Sequence, residues 1–180
     1  CGNWSDATNV GSATFTSGKF GDALTVNGSS QYLILSDAWT YSNDFSCSVW
    51  IYINSLTGTT PSPLGFNSST SYDWSIELDL TGTPIINFVM PSTGPTTRVG
   101  STGITLAINT WYHIACTTSS TDGKKFYFNG VLTDSDSGTT NIINYRTANN
   151  RIGSSSTGND WNGKIDQLRL YNNVLTQSQV

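Results

Sequence analysis

The stretch Phe45–Ile53, FSCSVWIYI, alternates without a break. Phe45, Cys47, Val49, Ile51 and Ile53 fall on one side, and Ser46, Ser48, Trp50 and Tyr52 on the other. A two-residue period sends successive side chains to opposite faces of a strand, whereas an amphipathic helix needs a period near 3.6. The pattern recurs. SIELDL (75–80) sets Ile76, Leu78 and Leu80 against Ser75, Glu77 and Asp79. WYHIACTT (111–118) sets Tyr112, Ile114 and Cys116 against Trp111, His113 and Ala115. Asp122-Gly123 and Asn129-Gly130 are hairpin signals, because glycine tolerates the positive φ of such turns. They predict a meander of strands near 112–118, 124–128 and 131–133. Further strands are expected near 24–27, 31–35, 85–90, 104–107, 150–153 and 164–171. That many short strands predict an all-β fold, a two-sheet antiparallel β-sandwich. The helical signal is a single turn from Thr176, with Gln179 at the reach-back position of a capping box. Stretches 54–72 and 134–149, rich in Ser, Thr, Gly and Pro, read as long loops.

Composition narrows the function classes. Only 11% of the 180 residues are charged and the net charge is −4, so Ser, Thr and Asn supply much of the surface polarity. With no basic patch, nucleic acid is excluded as a partner. No apolar run approaches the roughly 18 residues of a membrane span, which excludes insertion by a helix. Three cysteines and one histidine, with no CxxC pair, exclude a Cys/His zinc site. The polar composition fits an extracellular, cell-surface or virion-surface setting. The chain reads as a single domain over 1–180, an excerpt of a longer protein truncated at both ends.

Four blocks carry a family likeness. GKFGDALTVNGSSQYLIL (18–35), DFSCSVWIYI (44–53), NTWYHIACTTSSTDGKKFYFNGVL (109–132) and NRIGSSSTGNDWNGKIDQLRLYNNVLTQSQV (150–180) fall in one order. Together they resemble the laminin-G-like, concanavalin A-like lectin/glucanase jelly rolls, a fold shared with pentraxins. The resemblance implies a jelly roll of two antiparallel sheets. It leaves function open, because such sandwiches host lectins, adhesion modules, structural domains and enzymes.

It also frames the candidate chemistry. Glu77 and Asp79 share a strand face about 7 Å apart, a separation that fits the carboxylate pair of an inverting glycosidase. The similar laminarinase-like glucanases use Glu-x-Asp-x-Glu, sometimes with one added residue. Here Leu80, Thr81 and Gly82 follow Asp79. The third carboxylate is missing, so the expected module is not an enzyme and no catalytic residue is assigned. His113, the sole histidine, stands where the family usually has a structural one. Pentraxins carry one cysteine in each of two neighbouring strands, aligned with Ser48 and Ala115 here. Opposed residues of an antiparallel pair keep a constant sum, so the same register sets Cys47 against Cys116. The resemblance thus implies a Cys47–Cys116 disulfide, with two buried free thiols as the alternative. Pentraxin calcium ligands would follow the Ile-Gly block, where this chain has Ser154, Ser155 and Ser156. A structural Ca2+ held by Asp6 and Asp166 is the remaining cofactor expectation.

Sugar binding needs flat apolar faces beside polar groups. Tyr72 and Trp74 border a long loop, and Asn159, Asp160 and Trp161 precede the last strand. These five are the expected ligand contacts. The expected function is a non-catalytic recognition module, a lectin or adhesion domain that binds a glycan or surface protein through rim loops. The rival is a purely structural or decoration domain of a larger assembly, such as a phage or viral capsid or appendage. A glycoside hydrolase ranks third.

Overall fold

The computed structural model describes residues 7–35, 43–67, 72–90, 97–138, 150–155 and 158–180. It is the expected sandwich, built from two seven-stranded sheets. The strands are β1 (Thr8–Val10), β2 (Thr14–Ser17), β3 (Asp22–Asn27), β4 (Tyr32–Leu35), β5 (Phe45–Ile53), β6 (Leu64–Asn67) and β7 (Tyr72–Asp79). After them come β8 (Ile85–Met90), β9 (Thr97–Gly100), β10 (Thr110–Ser119), β11 (Gly123–Phe128), β12 (Val131–Asp136), β13 (Asn150–Ile152) and β14 (Asn162–Tyr171). The first sheet runs β1-β4-β13-β6-β7-β8-β9, the second β12-β11-β10-β5-β14-β3-β2, and all the ladders are antiparallel. No helix of the described residues is long and apolar enough to cross a membrane.

The alternation of β5 decides the centre of the second sheet. Phe45, Cys47, Val49, Ile51 and Ile53 are fully buried between the sheets. From the first sheet, Trp74 and Phe66 stack on each other at 4.1 Å, and Phe45 and Phe88 pack around them. Burial of such aliphatic and aromatic side chains stabilises by roughly 1.5–3 kcal/mol each. One expected strand is absent: 104–107 does not pair. Its Ile104 N–H instead donates to the Ser101 carbonyl at 3.1 Å, and Leu106 is buried in the core. The apolar pattern there seals the core from a loop.

The register sets Cys47 opposite Cys116, as the constant-sum argument requires. The expected disulfide, however, does not form, and both are free, buried thiols. Burial pushes the Cys116 thiol well above its ordinary pKa, and its contact with Cys47 adds to the shift. The Cys116 thiolate, the species that exchange requires, is therefore scarce.

Two segments lie over the outer face of the second sheet. The Ser46 hydroxyl donates to the Asn173 carbonyl at 2.8 Å and accepts from the Leu175 N–H at 2.9 Å. The chain end then turns at Thr176, whose N–H donates to the Gln179 side chain at 2.9 Å, the expected reach-back bond. On the other side a tight turn, Gly18 N–H to Gly21 C=O at 2.7 Å, carries Lys19 and Phe20 over the sheet. Among the described residues, the part of the face between these covers stays open.

Candidate functional site

The open part is a groove of about 430 Å³ lined by Phe20, Ser48, Trp50, His113, Gln167 and Arg169. Its floor is a product of strand register. Trp50 of β5 pairs with His113 of β10, and Tyr52 with Trp111. These are outward positions, so both pairs stand on the outer face. Trp50 and His113 have ring centroids 5.2 Å apart, and Tyr52 and Trp111 5.3 Å. Phe20, 56% exposed, meets Trp50 edge-on at 5.9 Å. The two rows are about 7 Å apart along the strands. The face therefore carries a band of half-buried rings, the apolar surface on which a sugar stacks.

One wall depends on a β-bulge. In β14, Asp166 pairs with Trp50 and Arg169 with Ser48, three steps against two on β5. Regular alternation would send residues 166 and 168 outward and Arg169 into the core. Gln167 absorbs the extra residue in the left-handed region, at φ 49°. Leu168 then packs inward and Arg169 stands over the groove. Bulges commonly re-aim a side chain in this way beside functional sites. The left-handed backbone costs a non-glycine residue roughly 1–2 kcal/mol. Gln167 also fixes the residue it re-aims, since its Oε1 accepts from Arg169 Nη2 at 2.8 Å.

The fold gathers beside the groove cations that lie scattered in the sequence. Lys19 Nζ lies 4.7 Å from the Trp50 ring centroid, and Lys164 Nζ lies 5.8 Å from that of Tyr52. Of the described residues that line the groove, none is acidic. The neighbouring carboxylate, Asp166, is buried, and its Oδ2 accepts from the Phe20 N–H at 2.8 Å, pinning the turn to the sheet. His113 shares a 2.9 Å hydrogen bond with the Ser48 hydroxyl through Nε2. Burial, with a smaller contribution from Arg169, holds the His113 pKa below its ordinary value. The imidazole is thus neutral at neutral pH.

Two of the rim residues expected to bind belong to the core. Trp74 is fully buried and Trp161 is 1% exposed, so neither indole offers a face to a ligand. Both are apolar enough to be worth more inside the core than at its edge, which corrects the expectation for them. Tyr72 opens β7 through its backbone, and its side chain lies outside what the structure describes. Asn159 and Asp160 clamp loops together. Asn159 accepts from the Thr60 hydroxyl at 3.2 Å, and Asp160 from the Ser30 N–H at 2.8 Å. Asp6 lies outside the described residues, and no cluster of three metal-ligating side chains occurs among those described. Glu77 and Asp79 stand on the outer face of the first sheet. Glu77 accepts from the Ser75 hydroxyl at 2.8 Å and pairs with Arg98 at 3.7 Å. The Thr81 hydroxyl and N–H hold the Asp79 pKa below the usual carboxylate value.

Sequence reasoning missed Phe20, Ser48, Trp50, Gln167 and Arg169. A signal for part of the groove was present: Trp50 and Tyr52, like Trp111 and His113, occupy the non-core parity of their strands. Large rings on a solvent face ask for an explanation that serines and threonines do not.

The architecture agrees with sequence comparison. The family model for the concanavalin A-like lectin/glucanases superfamily matches residues 27–180. The chain belongs to this superfamily. Among solved structures, domain 4 of AbnA, a GH43 extracellular arabinanase from Geobacillus stearothermophilus solved with arabinotriose, is 25% identical with a TM-score of 0.77. That match covers 96% of this chain and 85% of that one. The binding domain of Paraclostridial Mosquitocidal Protein 1 is 16% identical with a TM-score of 0.75, over 96% of this chain and 45% of that one. A heptameric SAP-like pentraxin from Limulus polyphemus is 15% identical with a TM-score of 0.59, over 78% and 69%. No curated protein matches by sequence.

Proposed function

We propose that this superfamily member is a non-catalytic carbohydrate-recognition module whose ligand face is the ring-lined groove of the second sheet. The observation that carries the reading is the groove itself, with Trp50 and Phe20 beside the polar Ser48, Gln167 and Arg169. Its size falls within the 300–1,000 Å³ of small-ligand sites, and apolar faces with a few placed polar groups are what such sites present. The likeness to an arabinanase domain solved with arabinotriose supports a sugar as the ligand. The non-catalytic reading rests on the missing third carboxylate after Asp79. Ser48 and His113 have the geometry of a nucleophile and base. A triad would need a third group to orient the imidazole, and no described carboxylate hydrogen-bonds His113.

A glycan array probed with the domain, in calcium and in chelator, tests the reading. Binding to defined glycans is expected, with Trp50→Ala losing at least about tenfold in affinity, or about 1.4 kcal/mol. Silence across the array, or binding indifferent to Trp50→Ala, would overturn it. Silence accompanied by tight self-assembly would point to a structural role.

A further inference from the structure

Resting on that reading, we infer that the groove selects an acidic sugar, one whose ring carries a carboxylate or sulfate. The chain has eight Lys and Arg and a net charge of −4. Yet Lys19, Lys164 and Arg169 all come to the outer face of the second sheet, beside its rings. Neither Lys19 nor Arg169 forms an ion pair with a described residue, whereas Arg98 and the buried Lys124 have Glu77 and Asp136. The nearby acid, Asp166, is turned to the Phe20 N–H and is nearly closed to solvent. The result is a half-enclosed basic site with an apolar floor.

The guanidinium is held ready. Gln167 engages one Nη of Arg169, which leaves further N–H donors of the five for a ligand. A planar fork matches the two oxygens of a carboxylate or sulfate, and such pairs are about twice as strong as neutral hydrogen bonds. The bulge that turns Arg169 outward costs backbone energy that regular pairing would avoid. A strained backbone maintained beside a cleft is expected where the side chain it aims has work to do. Lys19 lies over Trp50, so a stacking sugar must displace it. An exposed cation–π contact contributes only about 0.5–1 kcal/mol, and the ammonium can move to the acid group of the ring that replaces it. A neutral sugar would gain the floor and leave both cations unmatched.

Calorimetric titration of the intact domain separates the cases with three probes: α-1,4-tetragalacturonate, its carboxyl-reduced neutral counterpart, and a sulfated tetrasaccharide. An acidic probe is expected to bind at least tenfold tighter than the neutral one. Its affinity should fall several-fold between about 0.05 and 0.5 M NaCl as screening tightens. Arg169→Gln should weaken it about 10- to 100-fold, with an unchanged melting temperature. Arg98→Gln on the opposite sheet should leave it unaltered. The carboxylate and sulfate arms tell the two acid groups apart. The His113 imidazole gives a second readout, because an anion beside it should raise its NMR-measured pKa. Equal, Trp50-dependent binding of neutral and acidic probes would overturn the charge inference and leave the recognition reading standing. Absence of binding to all three would overturn the charge inference, and would overturn the recognition reading as well only if the glycan array is also silent.

Discussion

At the scale of single residues, the buried positions and the groove make different demands. His113 lies beside Ser48 and Trp50 of β5, Arg169 of β14 and Asn129 beyond β11, while Asp166 is the strand partner of Trp50 and Lys19 lies over the Trp50 ring. Its pKa is lowered in the fold, so between that value and about 6.5 the unfolded chain binds a proton that the folded chain does not. Stability contributed by the neutral ring is complete above about pH 6.5 and is lost as pH falls through the lowered pKa. A second loss belongs to Asp79 and Asp136, whose pKa values are also lowered, by Thr81 and chiefly by the Gly138 N–H respectively. Their contribution holds above about pH 4 and disappears below it. Thermal melts across pH 3–8 should show both stages, and His113→Gln should flatten the upper one. An upper stage unchanged in that variant would contradict the assignment. Trp161 sits in the core. Trp161→Ala should therefore cost about 3–5 kcal/mol on denaturant unfolding and leave ligand affinity unchanged where the domain remains folded. Lost affinity with full stability would return Trp161 to the binding site.

At the scale of elements, β14 shows where function and stability conflict. Gln167→Gly relieves the left-handed backbone and should stabilise by about 1 kcal/mol in chemical denaturation. It also removes the acceptor that steadies Arg169, so acidic-sugar affinity should drop several-fold. A variant that is less stable, or that binds as well as the wild type, would mean the bulge is not held for Arg169. The strands differ in how plainly sequence announces them. β5 and β10 are legible because each alternates around a buried row, and their register follows from the pentraxin resemblance that sets Ser48 against Ala115. β2 is exposed throughout and β1 nearly so, and edge strands with no buried face leave no alternation to read. β6 is short, and its outward position is Gly65, packed beneath Ser155 where a Cβ would collide. Ile104 and Leu106 alternate like a strand yet seal the core from a loop, since periodicity reports burial rather than pairing. The bulge has no sequence signal at all, because Gln167 is an unremarkable choice for any exposed position.

At the scale of the whole molecule, the sheet faces divide the work. One face of each sheet builds the shared core, and the rim loops are tied to one another by Thr60, Ser62, Ser155, Asn159 and Asp160. The first sheet's outer face pairs its charges internally through Glu77 and Arg98. The second sheet's outer face keeps its rings half open, and neither Lys19 nor Arg169 on it forms an ion pair with a described residue. The outward parity of Trp50, Tyr52, Trp111 and His113 is readable in the sequence, but the groove is not, because Lys19, Phe20 and Arg169 come from segments distant in the chain and meet only through tertiary packing. On the proposed reading this face, and neither the rim nor the opposite sheet, takes the ligand. Backbone and indole N–H chemical-shift mapping during titration with tetragalacturonate tests it most directly. The largest changes are expected on the Trp50 indole, His113 and Arg169, while Trp161, Glu77 and Arg98 stay still. Changes centred on residues 54–62 and 158–161, or around Glu77 and Arg98, with Trp50 unmoved, would contradict it.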